Sequence, residues 1–120
     1  MVSVTSRAEL LRKLVEYPPD IEAVAAKLRE FPWDSEERLV CITRAHLMEI
    51  LERFLVGELT AEQVERWADL LEMREDIEFE DGRFGVPREV FHELANPYLT
   101  EPLTETSAVR MRSALATQTI

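Results

Sequence analysis

The chain has 120 residues, of which 46% are hydrophobic and 32% charged, with 3 glycines. That length and balance fit a single helical domain over residues 1–120 and exclude wholesale disorder. The formal net charge of −10 argues against nucleic acid or an anionic membrane as a partner, because each requires a positive face.

Ser6-Arg7-Ala8-Glu9 has the form of a capping box, and Leu10, Leu11, Leu14 and Val15 then follow at helical spacing. Pro18-Pro19 ends this first helix, since proline restricts its predecessor and has no amide hydrogen. Asp20 is the expected cap of a second helix carrying Ile21, Val24, Ala25 and Leu28 on one face. Pro32 stops it, and Phe31 and Trp33 are expected to plug that end of the core. Asp34 or Ser35 is predicted to cap the longest helix, running to about Val56, with Leu39, Leu47, Ile50, Leu51 and Phe54 in period. Gly57 supplies the left-handed stop. Thr60-Ala61-Glu62-Gln63 is a second capping box, followed by Val64, Trp67, Ala68 and Leu71 inward.

Ile77-Glu78-Phe79-Glu80 alternates, Asp81-Gly82 offers a turn, and Arg83–Val86 has the pattern of a return strand. So short a hairpin is marginal alone, so an irregular loop is expected, with Phe79 and Phe84 tucked inward. Pro87 suits the first turn of a helix with Val90, Phe91 and Leu94 inward, broken at Asn96-Pro97. Tyr98–Pro102 reads as a linker. Thr104 starts a last helix with Val109, Met111 and Leu115 weakly periodic, and residues 116–120 are expected to fray. The predicted fold class is all-α, an antiparallel bundle of four to five helices with short loops. Its expected core is Leu10, Leu14, Val24, Leu28, Leu39, Leu47, Ile50, Leu51, Phe54, Val64, Trp67, Leu71, Phe91 and Leu94.

The charge is concentrated. Residues 58–81 hold 10 acids against Arg66 and Arg74 alone. The bland reading is a solvated helix face and an acidic turn. The sharper one is a surface that steers a basic protein. Its residues are Glu62, Glu65, Asp69, Glu72, Glu75 and Asp76. Two readings of Glu72–Asp76 stand side by side. Acids at a helix C-terminus oppose the helix dipole, so Glu75 or Asp76 is expected to pair internally with Arg74, Arg44 or Arg53. Alternatively the cluster is an exposed epitope for lysines and arginines.

Familiar chemistry is missing from the sequence. Gly57, Gly82 and Gly85 are isolated, so no phosphate loop is formed, and neither a nucleophile elbow nor a two-histidine zinc motif occurs. Glu89 and His92 have the Glu-x-x-His spacing of di-metal bundles, but that site needs a second such motif and further carboxylates. Solvated helix residues are the expected reading, with no metal and no cofactor. His46 is expected at a core boundary with a backbone or water partner. Cys41, in an apolar run, is expected to behave as a small hydrophobe. The single cysteine also excludes an internal disulfide and fits a reduced, cytoplasmic setting. No apolar run approaches the length of a membrane span, and Met1–Glu9 lacks a hydrophobic signal core.

Phe54-Leu55-Val56-Gly57-Glu58-Leu59-Thr60-Ala61-Glu62-Gln63-Val64-Glu65-Arg66-Trp67 resembles part of the colicin D-type bacterial immunity proteins, in which a helix, a glycine-containing turn and a second helix with a central aromatic follow one another. The chain is also similar to small uncharacterised bacterial helical proteins. The resemblance spans about 14 residues. It implies an acidic helical protein that neutralises a basic nuclease by covering its surface. The functional expectation is therefore a non-enzymatic, immunity-like module binding a basic protein, with Trp33 and Tyr98 as aromatic anchors where exposed. The alternatives are a ligand binder or enzyme with an interhelical pocket served by His46 and His92, and a homodimer that completes its bundle with a second copy and keeps residues 58–81 out of the interface.

Overall fold

The computed structural model describes residues 7–31, 38–72, 74–82 and 84–117. The Ser6 cap, Pro32, Trp33, the Asp34 or Ser35 cap, Arg83 and the tail from Gln118 lie outside the described residues. Within them the chain is mostly helical, in the order α1 (Arg7–Val15), α2 (Ile21–Leu28), β1 (Val40–Ile42), α3 (Arg44–Leu55), α4 (Ala61–Glu72), β2 (Ile77–Phe79), α5 (Val86–Ala95) and α6 (Glu105–Ala116). Six helices and a small parallel sheet replace the expected four or five helices.

Two expectations fail around that sheet. The predicted helix from residue 34 to 56 begins only at Arg44. Val40-Cys41-Ile42 is instead a strand, as its β-branched pair favours. Thr43 starts α3. Its hydroxyl accepts the His46 amide, and the His46 ring Nδ1 accepts the Thr43 amide at 3.0 Å. Histidine thus fills the role glutamate usually plays in a capping box. The irregular loop predicted at 77–86 begins instead as a strand, while the described residues from Glu80 to Gly85 are irregular as expected and Phe79 packs inward. Ile77–Phe79 pairs in parallel with β1, in the register Val40–Ile77, Cys41–Glu78, Ile42–Phe79. A strand this short reveals no clear period, and its partner lies across two helices rather than across a turn.

Most local signals hold. Thr60 and Gln63 cap α4 reciprocally, at 2.8 and 3.1 Å. Gly57 stops α3 with φ +87°, a conformation L side chains avoid. Pro87 lies in the first turn of α5, and Thr104 with Ser107 caps α6. Asp20 occupies the cap position of α2 but makes no side-chain cap bond.

One core joins the elements. α1 packs on α2, α3 on α6 and α4 on α5. Trp67 is fully buried, donates its indole N–H to the Leu14 carbonyl at 2.8 Å, and meets Phe91 edge-on at 5.8 Å. Phe79 reaches the same cluster, 5.1 Å from Phe91. The expected core residues are buried, with Leu39 and Phe54 half-buried against them. Phe84, expected inside, is 90% exposed. The turn carrying it folds back tightly enough that a Cβ on Gly85 would lie 2.6 Å from Asp81 Cβ.

Candidate functional site

Nine of the ten acids of residues 58–81 fall into two groups, with Glu72 belonging to both. One group is used internally. Glu58 binds Arg53 at 2.9 Å. Glu80 accepts the Arg44 amide at 2.7 Å, placing a carboxylate at the N-terminus of α3, where the helix dipole welcomes it. Asp81 binds the Arg44 guanidinium at 2.8 Å, and the same guanidinium donates to the Leu115 and Thr117 carbonyls at the end of α6. Glu72 accepts from the Asn96 amide at 3.0 Å.

Asp76 is the extreme case. Its side chain is 0% exposed, with Arg74 donating to both carboxylate oxygens at 3.0 and 2.9 Å and Arg7 donating at 2.7 Å. Burial alone would raise this carboxyl, but the hydrogen bonds from Arg74 and Arg7 outweigh it and hold it below the ordinary aspartate value. The Asp76 carbonyl also accepts from the Leu39 and Val40 amides, at the start of the sheet. As a partner-facing residue Asp76 is therefore corrected. It belongs to the internal salt bridge that was the other reading of this cluster, with Arg74 as expected and Arg7 in place of Arg44 or Arg53.

The second group faces outward. Glu62, Glu65, Asp69 and Glu72 recur along α4 at helical spacing and form one stripe beside the buried Val64, Trp67, Ala68 and Leu71 face. Glu62 and Asp69 are exposed, Glu65 and Glu72 half-exposed, and Glu75 is exposed beyond the helix end. Among the described residues, Glu62, Glu65, Asp69 and Glu75 have no ion-pair partner. Partial burial raises the Asp69 carboxyl, and the like charges of Glu65 and Glu72 raise it further. Arg66 binds Glu22 of α2 through two hydrogen bonds and exerts a smaller opposing pull on Asp69.

The N-terminal end of the stripe opens onto a groove of about 210 Å³. Its floor is apolar, made by Leu94 of α5, Pro97 and Leu103 of the α5–α6 connection, and Met111 of α6. Glu62 and Glu65 stand on one wall. Glu93 and Glu101 stand on the other, both bound by Arg110, with the Glu93 contact at 2.7 Å. Tyr98 also lines the groove and is 94% exposed. Its backbone is anchored nonetheless. The Asn96 carbonyl accepts the Leu99 and Thr100 amides and the Thr100 hydroxyl, and Arg110 ties down Glu101. Sequence reading placed Tyr98 in a linker and allowed it as an anchor. The gathering of Leu94, Pro97, Leu103 and Met111 with it was missed, because the connection shows no periodicity.

The remaining candidates occupy other places. Cys41 and His46 border one shallow depression with Arg12 and Glu16. Burial raises the Cys41 thiol, as do Glu78 and Glu80, so the thiolate is disfavoured. Burial lowers the His46 imidazole against the opposing pull of Glu16 and Glu80. Its Nδ1 lone pair is engaged by the Thr43 amide, so the neutral ring carries its proton on Nε2 and has no lone pair left for a general base. His46 thus has the backbone partner expected of it. Cys41 is half-exposed on its strand rather than fully buried. Glu89 and His92 are exposed on α5, and no group of three metal-ligating side chains gathers among the described residues. No helix among them is long and apolar enough to cross a membrane. No family model, curated protein or solved structure matches the chain.

Proposed function

We propose that this chain is a non-enzymatic acidic module that binds a basic protein, with its helices as an antiparallel scaffold and the stripe of α4 as the contact face. The observation that carries the reading is the contrast between the two groups of acids. Arginines meet Glu58, Asp76 and Asp81, whereas Glu62, Glu65 and Asp69 have no ion-pair partner among the described residues, and Glu65 and Glu72 repel Asp69. A cationic surface docked on the stripe relieves that repulsion and accelerates encounter through long-range attraction. Glu72 and Glu75 extend the face toward the end of α4, and Asp76 is left out of it. An immunity-like role, in which the bound partner is a basic toxin, follows from the resemblance of residues 54–67 to colicin D-type immunity proteins.

The test is capture from host lysate at low salt by the wild type and by an E62K/E65K/D69K variant, followed by titration of the identified partner with each. The expected partner is basic, elutes as salt rises, and binds the variant more weakly by about tenfold or more. Equal affinity for the two proteins refutes the reading.

A further inference from the structure

The groove at the N-terminal end of the stripe is built asymmetrically. The carboxylates of one wall, Glu93 and Glu101, are already held by Arg110. Those of the facing wall, Glu62 and Glu65, are not paired among the described residues. Between them lies an apolar floor, and the lining also includes an exposed phenol ring on an anchored backbone. This combination has a narrow chemical meaning. A purely apolar occupant leaves two carboxylates desolvated without a counter-charge, which is costly. A small cation leaves the floor wet. A long aliphatic stem ending in a positive head satisfies both. The stem covers Leu94, Leu103 and Met111, the head meets Glu62 and Glu65, and the Tyr98 face accepts cation–π contact. A planar guanidinium suits two neighbouring carboxylates and a ring face better than an ammonium does. At about 210 Å³ the groove is smaller than the usual 300–1,000 Å³ range of small-molecule pockets. It matches a single side chain better than a free cofactor.

We infer that this groove is the specificity pocket of the interaction face and takes one arginine side chain from the basic partner, seated between Tyr98 and the Glu62–Glu65 wall. The inference rests on the proposed protein-binding role and names the residue type that role recognises. Anchoring of the 96–101 segment by Asn96, Thr100 and Arg110 presents Tyr98 in place before binding, so little ordering is needed when the arginine enters.

The experiment uses N-acetyl-arginine methylamide as probe, followed by amide chemical shifts of the labelled full chain. The expected result is saturable shifts at Glu62, Glu65, Leu94, Tyr98 and Leu103. The norleucine analogue, which keeps the stem and lacks the charge, is expected to shift them far less. E62Q/E65Q and Y98A each weaken arginine binding by about fivefold or more, while E30Q, at an exposed acid beyond the end of α2, leaves it unchanged. All are surface substitutions, and an unchanged melting curve confirms the fold of each variant. Shifts spread evenly along α4, with E75Q as damaging as E62Q/E65Q, overturn the pocket while leaving the acidic face as a contact surface. Equal binding of the norleucine analogue, or no shifts at all, also overturns it. A partner that binds Y98A and E62Q/E65Q normally but is lost with D69K/E72K separates failure of the pocket from failure of the protein-binding reading.

Discussion

Replacing Asp76 by asparagine tests the claim that this acid holds the fold together. The change preserves shape and removes one charge from a side chain with no exposure, leaving the guanidiniums of Arg7 and Arg74 against a neutral amide. Removing one partner of a buried ion pair costs about 3–5 kcal/mol, because the remaining charge stays desolvated. Arg7 is 17% exposed and Arg74 10%, so both retain some access to water and the lower end applies, about 3 kcal/mol. For a chain of this size that corresponds to a melting temperature lower by roughly 12 °C. The pH dependence supplies a second check. Asp76 titrates below its ordinary value of 3.8 in the fold, so the unfolded chain takes up the proton first as pH falls. The stabilisation is complete above the unfolded value and is lost as pH falls through the folded one. Urea unfolding followed by circular dichroism is therefore expected to give a gap of about 3 kcal/mol between wild type and D76N at neutral pH, shrinking at about pH 3. A gap under about 1 kcal/mol, or one that does not change with pH, would mean that Asp76 is an incidental contact.

Four further outcomes are expected. Thr43→Ala removes the hydroxyl that accepts the His46 amide, and is expected to cost about 1 kcal/mol in chemical denaturation. His46 titrates below its ordinary 6.5 in the fold, so its contribution is present above that value and fades as pH falls below it toward the folded value; replacing His46 with glutamine, which keeps an acceptor for the Thr43 amide, should remove that fall from a stability–pH profile. Gly85→Ala drives a methyl to 2.6 Å from Asp81 Cβ and 2.7 Å from its carbonyl oxygen, and is expected to lower the melting temperature by several degrees, an effect absent if the 81–85 turn is free to relax. Cys41, its thiol raised by burial and by Glu78 and Glu80, is expected to react with a thiol reagent at neutral pH more slowly than free cysteine; equal or faster labelling contradicts that electrostatic picture.

The helices were largely legible because their ends are written locally. Thr60 with Gln63, Gly57, Pro87 and Thr104 each mark a boundary within three or four residues, and the structure places boundaries there. Thr43–His46 was illegible as a start signal, since histidine at the third position is not the usual capping partner. The strands were missed for a different reason. β1 and β2 are three residues each, and what makes them strands is mutual pairing across α3 and α4, a contact no local window contains. The acidic surface was legible as charge but not as geometry. Sequence counted Asp76 with Glu62 and Asp69, yet two arginines, one of them 69 positions away, draw Asp76 inside. The groove was hidden altogether, because its floor comes from a helix end, a connection without period and a separate helix.

The short parallel ladder also sets an order of events. Val40 meets Ile77 across the whole α3–α4 segment, and Arg7 meets Asp76 across 69 positions. Capped helices form from neighbouring residues in about a microsecond, whereas such distant closures demand chain entropy before any contact rewards them. The sheet and its buried ion pairs are then a latch that closes last. A latch of that kind does little to hasten assembly and much to slow escape, so it sets the lifetime of the folded state more than the speed of reaching it.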